Sequence, residues 1–205
     1  MNTGAVARPP FIGLTGGIAA GKSASLAVFE ELGAATLSTD AVVHELLDDA
    51  EVRDRLVSRW GETVAPGGVV DRARVGAIVF EAPDELVWLE SALHPLVGER
   101  VAAWGGGLPE DTPLAIVEVP LLFETGLENR FDATVAVVAE DELRTERAGQ
   151  RGTEALEGRD SRQLPQEEKA ARATHVIRND GSLDQLRAEI KRLWPLLADH
   201  AGDAP

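Results

Sequence analysis

Four residues in one short stretch fix the chemistry open to this chain. In GLTGGIAAGKS, residues 13–23, the glycines Gly16 and Gly21 with Lys22 and Ser23 satisfy the spacing G-x-x-x-x-G-K-S, directly after a short apolar run. Glycines let a loop turn tightly, so that successive N–H groups point into one cavity, and a helix beginning at the lysine adds donors and the positive end of its dipole. Such a cradle fits a nucleoside triphosphate. Gly17, Ile18, Ala19, Ala20, Gly21, Lys22, Ser23 and Ala24 would line it, with Lys22 reaching the β- and γ-phosphates and the Ser23 hydroxyl coordinating Mg²⁺. The plain alternative is a glycine-rich turn carrying a solvent-facing lysine. A dinucleotide fingerprint is excluded here, because G-x-G-x-x-G is absent.

Other charged residues can act on a bound triphosphate. Asp40 follows the second strand pattern, where a carboxylate can orient an acceptor hydroxyl and take its proton, or can simply cap the helix that follows. Glu118, near the end of the strand in LAIVEVP, either holds water around a metal ion or ends its strand. Arg144, Arg147 and Arg151 recur at intervals of three and four and so share one helix face. That face can neutralise a transferring phosphoryl group, or can lie in solvent beside Glu142 and Glu146. His94 reads more readily as a capped or packed residue than as a ligand contact, and Phe123 and Glu124 follow a strand end where they either line a crevice or anchor a loop.

The elements that must position these groups read as α/β. Strand patterns at 11–15, 34–39, 114–119, 133–139 and 174–178 lie beside helical patterns, as in a mostly parallel sheet with helices on both faces. Lys22 to Leu32 predicts a helix stopped by Gly33, and SLDQLRAEIKRLWPLL predicts an amphipathic helix capped by its serine. Residues 48–105 carry helical periodicity without strand signals and read as an insertion within a single domain spanning 1–205, with Pro95 expected to end or kink a helix near His94. The polar, arginine-bearing region 141–168 reads as a lid.

Composition narrows the partners. Lys plus Arg total 20 against 35 for Asp plus Glu, a net charge of −15, which disfavours a nucleic-acid partner and requires local positive charge wherever an anion binds. Cysteine is absent, the 4 histidines show no metal-ligand spacing, and no uncharged stretch approaches the roughly 20 residues of a membrane span. A cytoplasmic protein, monomeric or weakly homo-oligomeric, is expected. D-x-x-G does not follow any strand pattern and N-K-x-D is absent, so a GTPase is not indicated and the P-loop points to a small-molecule kinase whose insertion grips the acceptor and whose lid closes. A nucleoside or nucleotide kinase and an ATP-dependent switch share these features.

In order along residues 11 to 197, IGLTGGIAAGKS, LGAATLSTDAVVHELL, VVDRARVGAIVF, ALHPLV, VPLLFETGLE and VIRNDGSLDQL resemble the sequence blocks of the dephospho-coenzyme A kinase family. The resemblance implies a P-loop nucleoside triphosphate hydrolase fold and transfer of the ATP γ-phosphoryl to the ribose 3′-hydroxyl of dephospho-coenzyme A. It implies catalytic roles for Asp40, Lys22 and Arg147, contact of His94, Leu122, Phe123 and Glu124 with the acceptor, and contact of Arg151 and Asn179 with the nucleotide. Three departures stand out: Ser38 replaces the first carboxylate of a D-A-D block, Ala24 follows the P-loop serine where threonine is common, and Arg178 precedes Asn179 where aspartate is usual.

Overall fold

The computed structural model describes residues 8–150 and 162–200. They fall into two compact units, divided between Leu37 and Ser38 and again between Gly106 and Gly107.

The first unit is built on a sheet of β1 (Phe11–Gly16), β2 (Ala35–Ser38), β3 (Ala115–Glu118), β4 (Ala133–Val138) and β5 (His175–Arg178), in the order β2-β3-β1-β4-β5. The pairs β1 with β3, β1 with β4, and β4 with β5 are parallel. Its helices are α1 (Lys22–Glu31), α6 (Asp141–Gln150), α7 (Gln166–Arg172) and α8 (Leu183–Ala198). Side chains alternate across β1 as the strand period demands. Ile12 and Leu14 enter a core with Ile116, Val135, Val137 and Ile177 of the sheet, Val28 and Phe29 of α1, and Leu186, Ile190, Leu193 and Leu197 of α8. On the opposite face a Cβ at Gly13 would stand 2.9 Å from Phe131, and the Thr15 hydroxyl donates to the Pro120 carbonyl. The sheet is therefore covered on both faces, and its central strand β1 is buried from Ile12 to Gly16, the expected state of a buried parallel strand.

The helix ends follow their local chemistry. After Glu31, Gly33 N–H donates to Glu30 and Ala34 N–H to Phe29, the paired bonds that satisfy the last carbonyls of α1. Ser182 and Gln185 form a reciprocal capping box at the start of α8.

The second unit contains α2 (Thr39–Asp48), α3 (Ala50–Trp60), α4 (Arg72–Glu81) and α5 (Pro83–Gly106), and between Thr39 and Gly106 it has no strand. Asp49 and Asp71 cap α3 and α4. Glu85 holds Arg59 by two bonds and accepts from the Trp60 indole, while the Arg59 guanidinium lies over Trp88. The helix does not end at Pro95. α5 runs through it as one element of 24 residues. Proline removes one N–H and its ring crowds the Ser91 carbonyl one turn earlier; Ser91 is exposed, so water can satisfy that carbonyl. Among the described residues no helix is long and apolar enough to cross a membrane.

Candidate phosphate-binding site

β1 carries the chain into the glycine loop. A Cβ on Gly16 would lie 2.3 Å from the Val137 carbonyl oxygen of β4, a backbone atom that cannot move aside, so only glycine fits. At the far end Gly21 is the N-cap of α1 with φ 105°, and a Cβ there would meet the Asn179 side-chain nitrogen at 2.0 Å. Between them Ala19 takes φ 58°, a left-handed value that costs an alanine about 1 kcal/mol or more. The folded unit imposes this conformation against local preference, which is common at binding loops.

Side chains grip the loop's carbonyls. Lys22 Nζ donates to Gly16 and Gly17, each at 3.0 Å. Arg144 Nε of α6 donates to Ile18 at 3.0 Å, with its Nη1 held by Asp141 at 2.8 Å. Asn179 Nδ2 donates to Ala20 at 2.9 Å, and Asn179 is itself fixed through its N–H on Val138 and through its own carbonyl, which accepts from Arg147 at 3.0 Å. Ser23, second residue of α1, is exposed and can present its hydroxyl to a ligand at the helix N-terminus. A glycine loop leading into a helix N-terminus, with an ammonium group and an exposed hydroxyl beside it, has the donors to hold a polyphosphate.

Not every expected residue is placed as the sequence suggested. Asp40 does not cap its helix: Ser38 occupies the N-cap of α2, and Asp40 lies exposed within the first turn, where a carboxylate interacts favourably with the helix dipole. Leu122 is fully buried, its Cδ2 3.1 Å from where a Cβ at Gly13 would stand, and Phe123 is 3% exposed beneath the Arg172 guanidinium. Both therefore pack the turn rather than present a surface. Glu124 Oε1 accepts from Leu164 N–H at 2.8 Å and pairs with Lys169 Nζ at 2.9 Å. His94 is exposed on α5, Glu118 is buried at the end of β3 in register with Leu14, and Arg178 faces solvent. Arg151, and residues 151–161 of the expected lid, lie outside the described residues.

Lys169 is a residue the sequence reading missed. Its side chain is fully buried, and its Nζ donates to Pro120 at 2.7 Å as well as to Glu124. Burial pushes its ammonium below the usual lysine range, with Glu124 working in the opposite direction. In QEEKAAR it reads as one more charge on a solvated helix, and only the position of α7 against the sheet distinguishes it. Gln166 was missed for the same reason: its amide brackets the Ala139 backbone, giving one bond to the carbonyl and taking one from the N–H.

A family profile described as Dephospho-CoA kinase matches residues 10–185. A dephospho-CoA kinase of Symbiobacterium thermophilum is 37% identical over 202 residues, covering 95% of this chain and 84% of the relative. Among solved structures, TT1252 of Thermus thermophilus superimposes with a TM-score of 0.79 at 34% identity, covering 93% of this chain and 98% of that one. A dephospho-CoA kinase of Campylobacter jejuni gives a TM-score of 0.69 at 26% identity, with 92% and 97% covered.

Proposed function

The chain belongs to the dephospho-CoA kinase family, and we propose an assignment of its residues to the ATP-dependent phosphorylation of dephospho-CoA that gives CoA. The observation that carries the assignment is the loop from Gly16 to Ser23, in which carbonyls are engaged by side chains while Lys22 and the exposed Ser23 stand at the start of α1. The loop amides bind the β- and γ-phosphates of ATP, and Lys22 exchanges its contacts to Gly16 and Gly17 for contacts to the phosphoryl oxygens. Ser23 would hold Mg²⁺, which supplies charge neutralisation at the phosphates when bound. The exposed hydroxyl suits a hard cation.

The acceptor is the ribose 3′-hydroxyl. Asp40 orients it in line with the γ-phosphorus and takes its proton late, since a loose phosphoryl-transfer transition state demands little earlier deprotonation. Arg147, with Arg151, neutralises charge that develops on the transferring group, and His94 contacts the acceptor. Glu124 contributes through the turn it anchors, together with the buried Leu122 and Phe123. We place the reaction in the cytoplasm, with a monomer or weak homo-oligomer as the working form. Incubation with ATP, Mg²⁺ and dephospho-CoA, followed by product mass, tests the reading: one added phosphate on the ribose 3′-oxygen supports it. Phosphate transfer to nucleoside monophosphates instead, or ATP hydrolysis without a phosphorylated acceptor, would refute it.

A further inference from the structure

The side chains around the glycine loop define a role that the phosphate contacts alone do not assign. In a trans peptide the carbonyl of one residue and the N–H of the next point in opposite directions, and no described peptide here is cis. Arg144 Nε holds the Ile18 carbonyl, so the Ala19 N–H is directed away from Arg144; Asn179 Nδ2 holds the Ala20 carbonyl, so the Gly21 N–H is directed away from Asn179. These are two of the amides that a phosphate cradle must aim. We propose that Arg144 and Asn179 are positioning residues that set the direction of the Ala19 and Gly21 amides, and that Asn179 acts on the triphosphate through the loop rather than on the nucleotide base.

Three features support this assignment. The Asn179 amide fills the space a Cβ at Gly21 would need, so loop and side chain are fitted to each other. The Arg144 guanidinium lies against Gly17 in the same way, 3.2 Å from where its Cβ would stand. Each group is also held independently of the loop, Arg144 by Asp141 and the Asn179 backbone by Val138 and Arg147. Without these braces, Ala19 would be free to leave its left-handed conformation. Arg144 thus differs from the neutralising role expected for an arginine on this face: it acts on the protein's backbone.

The inference rests on the loop being the triphosphate site, and the test separates the two claims by using a ligand with no base. Asn179→Asp, which replaces the donor with an acceptor, Arg144→Ala and Arg144→Lys are titrated with tripolyphosphate and with ATP, and amide exchange is followed at residues 17–21. The brace predicts that Asn179→Asp and Arg144→Ala weaken both ligands by the same factor, about tenfold for one lost charge-assisted or buried hydrogen bond. It also predicts faster exchange at Ala19 and Gly21, a dephospho-CoA KM near the parent's, and partial recovery in Arg144→Lys. Loss of ATP affinity with tripolyphosphate unaffected would make Asn179 a base contact and overturn the proposal. Unchanged exchange in Arg144→Ala, which lies on a part-exposed helix face and leaves the core intact, would overturn it as well. A parent chain that binds both ligands but phosphorylates no dephospho-CoA would refute the assigned reaction while the exchange data still support the brace.

Discussion

Lys169→Met should destabilise the first unit by about 3 kcal/mol, and the structure explains the size. The substitution keeps the volume of the side chain but removes an ammonium group that is fully buried between Glu124 and the Pro120 carbonyl. Breaking one side of a buried ion pair costs about 3–5 kcal/mol, because the other charge is left without compensation. The lower end applies here. Glu124 keeps the Leu164 N–H and is 12% exposed, and Pro120 keeps the Thr15 hydroxyl at 3.1 Å, so no carbonyl is orphaned. Glu124→Gln leaves the lysine with two neutral acceptors and should cost about 2 kcal/mol. The double variant Lys169→Met/Glu124→Gln removes both charges together. It should cost about 2 kcal/mol, well short of the sum of about 5, a coupling near 3 kcal/mol. Urea denaturation of the four proteins, followed by near-ultraviolet circular dichroism, measures the cycle. Costs that add to within about 0.5 kcal/mol would refute the account of a mutually dependent buried pair. The pH dependence carries a sign as well: burial holds the Lys169 value below that of the unfolded chain, so deprotonation is easier in the folded state. The parent should therefore gain stability relative to Lys169→Met as pH rises from the lowered folded value toward about 10.5.

Other expectations follow from the same geometry. Asp40→Asn should leave ATP affinity within about twofold while turnover falls by about 10²-fold, the scale of a lost general base; steady-state kinetics with both substrates varied checks this, and equal turnover would remove Asp40 from the role. Gly16→Ala should cost about 3 kcal/mol or more, since its Cβ would meet a backbone oxygen at 2.3 Å, and a variant that melts with the parent would contradict the close packing of β1 on β4. His175 and His200 approach to 3.4 Å between Nε2 atoms, and burial followed by the neighbouring ring holds His175 below the usual histidine range. The unfolded chain then protonates first as pH falls, so stability should decline from about pH 6.5 downward until His175 is also protonated in the folded state. His200→Ala should flatten that decline in melting curves recorded between about pH 5 and 7.5, and an unchanged slope would show that the pair does not report on folding.

The glycine loop, its strand and its helix were legible in the sequence, because each depends on residues next to one another. Gly16, Gly21, Lys22 and Ser23 specify a turn, an ammonium and a hydroxyl within eight positions, and the alternation in β1 with the stop at Gly33 follows from local backbone chemistry. The parallel sheet followed from strand patterns alternating with helices, and the order of the sequence blocks carried the family. What was not legible depends on contacts between distant parts of the chain. Arg144 meets Ile18 across 126 positions and Asn179 meets Ala20 across 159, and no periodicity reveals which carbonyl an arginine or asparagine will find. The same holds for Lys169, whose polar helix conceals a buried ammonium, and for Leu122 and Phe123, whose place under Gly13 and Arg172 is set by packing against the sheet. Local sequence thus specified the glycines, the lysine and the hydroxyl of the loop, whereas the left-handed turn at Ala19 is imposed by the folded unit. Tertiary structure alone decided which side chains hold it open, because a hydrogen bond of about 3 Å needs two segments brought together by the completed fold.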